Sequence, residues 1–421
     1  MKKTVNEMSK RAGFVGQLPA LGLSALTAVT VSCLGASAQP VAQTNTLDPQ
    51  FVRQLMDRVG VLEEKAKRVD ALEAEVKTLK SGETSVPSDM PAMVETWPKI
   101  DLTVQGDVDY HVSSSKSDKN TFFLGDLDPL IVARLSDNSK VVGDFAITSD
   151  NFSGDGFNFD IERLYAEYDI NDSFIVQAGR VNTSIGYYNN VYHNGTYFQT
   201  TVDRPGIYDF EDDGGILPVH LTGLTLSGEI PSGSWGLHYV AQVGNGRNYD
   251  LGKPAFFVSD NNDFKAFNFE LSAKPEWAPG NQFGASVYYD TVTTPGVPRT
   301  DQLIMSGFEV YKTPLFEWLN EAVFMRDAPD GGSEHWTSAA YTQVSRKFGK
   351  FRPYLRFEYR NSPAGDPLLA YIGENACVWG PTVGVRYDFT QMMALKLEDE
   401  VINQGGMDPV NELTFQWTFR Y

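Results

Sequence analysis

The sequence predicts an all-β transmembrane barrel of about sixteen antiparallel strands, preceded by an N-terminal α-helical coiled coil. Three observations lead there. From about residue 100 onward, apolar and polar residues alternate with a period of two. The connections between these segments alternate between short and long, as turns and loops on opposite sides of a bilayer do. Upstream of them, one segment carries a different period, between three and four.

The chain opens on a pattern expected of an export signal. Lys2, Lys3, Lys10 and Arg11 precede an apolar stretch from Phe14 to Leu34, and Ala36-Ser37-Ala38 supplies small residues for cleavage. Residues 1–38 are therefore set apart from the fold. A lipid anchor on Cys33 is disfavoured, because Thr30 stands where such signals carry a Leu-like residue.

Residues 39–80 form the next segment, with a helix expected over 48–80. Asp48 suits an N-cap and Pro49 the first helical position. Val52, Leu55, Val59, Leu62, Ala66 and Val69 step by three and four, and the seam resumes at Leu72, Val76 and Leu79 after one stammer-like break. Glu63, Lys67, Arg68 and Glu75 cover the outer face. An isolated helix with so polar a face has little else to bury against, so a periplasmic coiled coil joining several copies is expected, beside the simpler reading of one helix lying on its own chain. Ser81-Gly82 ends it, and Pro87, Pro91 and Pro98 punctuate a linker over 81–98.

The barrel is expected over 99–421. Its last strand is the clearest: Leu413, Phe415, Trp417, Phe419 and Tyr421 alternate with Glu412, Thr414, Gln416, Thr418 and Arg420. One face suits lipid and the other water. Leu102, Val104, Val108 and Tyr110 oppose Asp101, Thr103, Asp107 and Asp109 in the same way. Strands are expected at about 100–113, 121–135, 140–149, 158–170, 173–184, 219–230, 235–245, 263–274, 283–294, 301–312, 316–327, 335–347, 351–360, 376–389, 392–402 and 411–421. Asn171-Asp172 and Thr390-Gln391 are among the short turns, and 185–218 is the longest loop. Sixteen strands are wide enough to leave an aqueous interior. The inward faces carry Asp107, Asp109, Arg134, Arg163, Glu167, Glu270, Arg352, Arg356, Glu358, Arg386, Lys396, Glu398, Glu400 and Arg420, too many charges for a dry core. Strict alternation aims Arg180 at lipid, unless a bulge at Gly179 turns it inward.

The 185–218 loop contains Tyr187, Tyr188, Asn189 and Asn190, then Asp203 and Arg204, then Asp209, Glu211, Asp212 and Asp213. Two placements are open. Folded inward, it sets a negative edge opposite wall residues such as Arg163, Arg352, Arg356 and Arg386, and acidic rings favour cations. Folded outward, its acids meet solvent, or divalent cations held with lipopolysaccharide.

Composition excludes several classes. A net charge of -19 argues against nucleic-acid binding. With Cys33 in the signal, Cys377 stands alone, so no intramolecular disulfide is expected. His111, His193, His220, His238 and His335 are scattered, and neither GxSxG nor HExxH occurs, so no catalytic residue, metal site or cofactor is expected.

The segments FDIERLYAEYDINDSFIVQAGRVNTSIGYYNN (159–190), the following YHNGTYFQTTVDRP and the terminal LTFQWTFRY resemble Gram-negative outer-membrane porins, loosely the superfamily that contains the phosphate-selective ones. The resemblance implies a homotrimer in outer-membrane lipid and lipopolysaccharide, passing small hydrophilic solutes or ions and not acting as an enzyme. The acidic loop holds no lysine cluster, so phosphate selectivity is not carried over. Two alternatives stand beside this reading: a structural anchor tethering envelope layers through the coiled coil, its lumen plugged, and an outer-membrane enzyme.

Overall fold

The computed structural model describes residues 98–421, apart from 117–118, 150–156, 194, 211–214, 251–252, 256–258, 295 and 371–375. The signal segment, the coiled coil and nearly all of the linker lie outside the described residues.

Sixteen of the strands close into one antiparallel barrel. In chain order the strands are β1 (Lys99–Ser113), β2 (Thr121–Ser136), β3 (Ser139–Ser149), β4 (Phe157–Asn171), β5 (Phe174–Asn182), β6 (His220–Ile230), β7 (Leu237–Asn245), β8 (Asn248–Asp250), β9 (Lys253–Ala255), β10 (Lys265–Ala273), β11 (Asn281–Thr294), β12 (Val297–Lys312), β13 (Phe316–Pro329), β14 (His335–Arg346), β15 (Phe351–Ser362), β16 (Ala376–Asp388), β17 (Met393–Gln404) and β18 (Val410–Arg420). Each pairs with its chain neighbour, and β1 pairs with β18 from Gln105↔Arg420 to Ser113↔Glu412 to close the ring. The exception is β8–β9, a separate two-stranded ribbon between β7 and β10. Every expected strand is present to within a few residues. One expected loop shrinks to a tight hairpin, because β11 runs to Thr294 and β12 starts at Val297, with Gly296 at φ 85°.

Burial follows the period of two and is inverted relative to a water-soluble protein. On β18 the aromatic and aliphatic side chains face out, with Phe415 48% and Trp417 52% exposed, while Gln416 and Thr418 on the inner face are 1% and 0% exposed. On β10, Phe267, Phe269 and Leu271 are exposed while Asn268, Glu270 and Ser272 are buried. A continuous apolar exterior of this kind fits a hydrocarbon environment, where a closed barrel leaves no backbone edge unpaired. Trp235 and Trp277 meet edge to face, with centroids 5.5 Å apart, at the turns flanking β7 and β10. Such aromatics are typical of the band where a barrel leaves the hydrocarbon.

Two irregularities steer side chains inward. Between β3 and β4 the register shifts from Asp144↔Arg163 to Phe145↔Ile161, so Glu162 is the extra residue of a bulge. At Gly179 the ladders to β4 and β6 continue in register, so the bulge that was one of the two possibilities there is absent. Instead Gly179 takes φ 138°, where an added Cβ would overlap the Leu164 carbonyl oxygen. That twist buries Arg180, whose Nε donates to the Glu162 carbonyl at 3.0 Å, and keeps it off the lipid-facing surface.

The apolar core lies inside the barrel. Ile304, Phe308 and Val310 on β12 and Leu319, Val323 and Met325 on β13 are buried together with Ile185, Tyr187, Tyr188, Ile207, Tyr208, Ile216 and Leu217 from the β5–β6 connection. The inner faces of β12 and β13 therefore depart from the polar-inside pattern, because a loop rather than water covers them.

Candidate functional site: the loop inside the barrel

The chain between β5 and β6 folds into the lumen. Its neck continues the sheet, with Thr183 N–H donating to the Val219 carbonyl at 3.0 Å. Asn189 closes the neck, its Nδ2 donating to the carbonyls of Thr183 (2.9 Å) and Val219 (3.0 Å). One helical turn, α1 (Tyr188–Val191), follows Gly186, whose φ of 78° suits only glycine here. A Cβ on Gly186 would overlap the Tyr208 hydroxyl and the Glu321 carboxylate.

An irregular segment in a crowded interior has to find partners for its own N–H and C=O groups. The charged wall supplies them with a consistent polarity. Carboxylates accept from loop amides: Glu321 from Tyr187 (2.6 Å) and Tyr188 (2.9 Å), Glu398 from Val202 (2.9 Å), and Glu358 from Gly206 (2.6 Å). Cations donate to loop carbonyls: Arg356 to Asp203 (2.7 Å), Arg386 to Tyr197 (2.5 Å) and Gln199 (2.8 Å), and Lys396 to Thr196 (2.6 Å) and Thr201 (2.7 Å). Glu321 also accepts from the hydroxyls of Tyr208 (2.6 Å) and Tyr341 (2.5 Å). Tyr192 donates to Glu317, and Lys312 Nζ reaches both of them. Burial, and then the Glu317 and Glu321 carboxylates, push the Tyr187 hydroxyl up to about 12, so it stays protonated.

The anticipated site residues are placed in different ways. Arg356 and Arg386 do not stand across open space from the loop: they hold its backbone, and they are further tied by Glu358 and Asp388. Arg163 is on the opposite wall, paired with Asp144 at 2.9 Å, and Arg352 lies in register with Arg386 at one end of the same face. Arg204 turns back on its own loop, donating to the Tyr208 carbonyl at 3.0 Å and stacking on Phe210 with 3.6 Å to the ring centroid. Asp203 and Asp209 line a cavity of about 260 Å³ with Arg204, Arg356, Glu358, Arg360 and Glu400. Enclosure, and then the Glu358 carboxylate, push Asp209 well above the usual carboxylate range. Glu211, Asp212 and Asp213 lie outside the described residues.

Sequence reasoning did not single out Glu317 or Glu321. The signal was a recurrence of acids on the otherwise apolar inner parity of β13, which reads Glu317, Leu319, Glu321, Val323, Met325, Asp327. It also read the histidines as scattered, whereas His193 on the loop and His220 on β6 meet, with their rings 4.6 Å apart at 88°.

No family model matches the sequence, and no curated protein does either. Solved structures do match the fold. OmpF of Salmonella typhi, in complex with daunomycin, superposes with a TM-score of 0.56 at 12% identity, over 77% of this chain and 98% of that one. The anion-selective porin of Comamonas acidovorans gives 0.54 at 12% identity, over 77% and 100%. The outer-membrane channel DcaP of Acinetobacter baumannii gives 0.51 at 12% identity, over 78% and 99%. The chain thus has the fold of the outer-membrane porins, a closed sixteen-stranded barrel.

Proposed function

We propose that this protein is an outer-membrane porin, a passive aqueous channel for small hydrophilic solutes or ions that is narrowed by its inward loop and prefers cations. The observation that carries this reading is the loop itself, held within a sixteen-stranded barrel by wall charges at both its amides and its carbonyls. A barrel of this width without such an element would be a wide and unselective hole. Cation preference is supported by where the charges sit. Arg356, Arg386 and Lys396 are buried against loop carbonyls, whereas Asp203 and Glu400 line the cavity, and their carboxylate oxygens converge with that of Glu398 within 4.8 Å of one another. In a confined lumen such a cluster draws counter-ions.

The chain acts as a channel and not as an enzyme in this reading, and it assembles as a homotrimer in outer-membrane lipid and lipopolysaccharide. OmpT of Vibrio cholerae, a trimer-form structure of the same fold at 11% identity and a TM-score of 0.54, lends that assembly support. The 39–80 segment would join the three copies on the periplasmic side. Liposome swelling tests the function: vesicles containing the folded protein should swell in small neutral and cationic solutes faster than in anionic solutes of equal size. Vesicles that swell no faster than protein-free ones would point to the plugged anchor instead.

A further inference from the structure

Outside the pore-lining charges, one buried cluster joins the loop to the wall. Nε2 of His193 lies 2.9 Å from Nε2 of His220, and the Glu162 Oε2 lies 2.9 Å from the His220 nitrogen and 3.4 Å from the His193 nitrogen. The side chains of His193 and His220 are 1% and 0% exposed and that of Glu162 is 12% exposed. Three donor atoms thus converge on one small volume. Two of them are imidazole nitrogens facing each other, and each carries either a lone pair or a proton. One shared proton serves only one edge of the triangle and leaves unfavourable contacts on the others. A cation at the centre satisfies all three together.

We propose that Glu162, His193 and His220 form a binding site for a borderline divalent transition metal, of which Zn2+ is the best match, and that the bound ion clamps the inward loop to the barrel wall. Two imidazoles and one carboxylate are a common protein ligand set for zinc. A triangle with edges of 2.9, 2.9 and 3.4 Å leaves a point about 2.0–2.1 Å from all three atoms, the usual zinc–nitrogen and zinc–oxygen distance. The surroundings fit as well. His193 Nδ1 is 3.2 Å from Asn189 Oδ1, a contact that directs the Nε2 lone pair into the site. Phe210 packs on both rings, edge-on to His193 at 5.4 Å and parallel to His220 at 6.1 Å, giving the cluster an apolar wall on one side. Glu162 reaches the site because it is the extra residue of the β4 bulge, which turns both it and Arg163 inward. The ligands come from three places, a strand bulge, the loop just after α1 and the start of β6, so the ion would tie the loop to two strands. Binding would require both rings to be neutral at Nε2 and would expel the proton that otherwise bridges them, leaving a fourth position for water.

The test uses the full-length, tag-free protein in detergent, stripped of metal with a chelator and titrated with Zn2+ against a chromophoric zinc indicator. One zinc per chain is expected, and zinc-edge X-ray absorption should show imidazole and carboxylate ligands at about 2.0–2.1 Å. Glu162→Gln, His193→Ala and His220→Ala should each weaken binding at least about tenfold. Retention of the heat-modifiable gel mobility of a folded barrel would control for folding. Because the absorption spectrum is read on the unmutated protein, a variant that fails to fold does not decide the matter. Less than stoichiometric zinc on the unmutated protein, a spectrum without imidazole scattering, or equal affinity in folded His193→Ala would overturn the site and leave a hydrogen-bonded triad.

Discussion

The Glu321 carboxylate on β13 accepts the backbone N–H of Tyr187 at 2.6 Å, across a sequence separation of 134 residues. That bond joins the wall of the barrel to the chain that crosses it. The same carboxylate takes the Tyr188 amide and two tyrosine hydroxyls and is only 3% exposed. Replacing it by glutamine keeps the volume but converts one oxygen to a donor facing donors. Glu321→Gln is therefore expected to destabilise the loop by about 2–3 kcal/mol. Single-channel recordings should show larger and noisier openings than the unmutated protein, and unchanged traces would argue against this anchor.

Gly186 stands against the same carboxylate at φ 78°. Gly186→Ala adds both backbone strain and a clash, together costing about 1–3 kcal/mol. The expected outcome is a loop cleaved faster by added protease, in a barrel whose circular dichroism is unchanged.

Lys396 and Arg352 separate anchoring charge from free charge. Lys396 Nζ holds the carbonyls of Thr196 and Thr201 and is 1% exposed. Lys396→Met leaves those carbonyls unmet, at about 1–3 kcal/mol each, and should loosen the far end of the loop. Arg352 faces the lumen at the edge of β15, so Arg352→Ala should raise the cation/anion permeability ratio and leave protease sensitivity unchanged.

A pH dependence follows from Asp209, whose carboxyl is held well above its ordinary range by enclosure and the neighbouring Glu358. A raised carboxyl stays neutral while ordinary carboxylates are charged, and ionises as pH rises through its shifted value. Cation preference should therefore increase on alkalinisation, and the ionised group should cost folded-state stability at the same time, since the stability it contributes is lost as pH rises. Asp209→Asn should remove that part of the pH dependence in reversal-potential measurements, and an identical profile would assign it to other groups.

The strands were legible because lipid on one side and a polar interior on the other impose a period of two over about ten residues, as in Leu413 to Arg420. The rule fails where its premise fails. Ile304, Val310, Leu319 and Val323 point inward yet are apolar, because the loop shields them from water. The direction of that loop was not legible: its acids suit either placement, and the contacts that settle it, such as Val202 to Glu398, span 196 residues. The roles of Arg356 and Arg386 were hidden for the same reason, since their partners are carbonyls that every residue carries. The meeting of His193, His220 and Glu162 depends on a bulge that alternation does not announce.

For the barrel to act as a pore, water and ions must pass the loop. Planar-bilayer recording of the purified, folded protein under a salt gradient tests it most directly. Stepwise openings with a reversal potential of the sign expected for cation preference are the predicted result. A silent bilayer, from protein shown by gel mobility and circular dichroism to be a folded barrel, would contradict it and leave a plugged anchor as the better description.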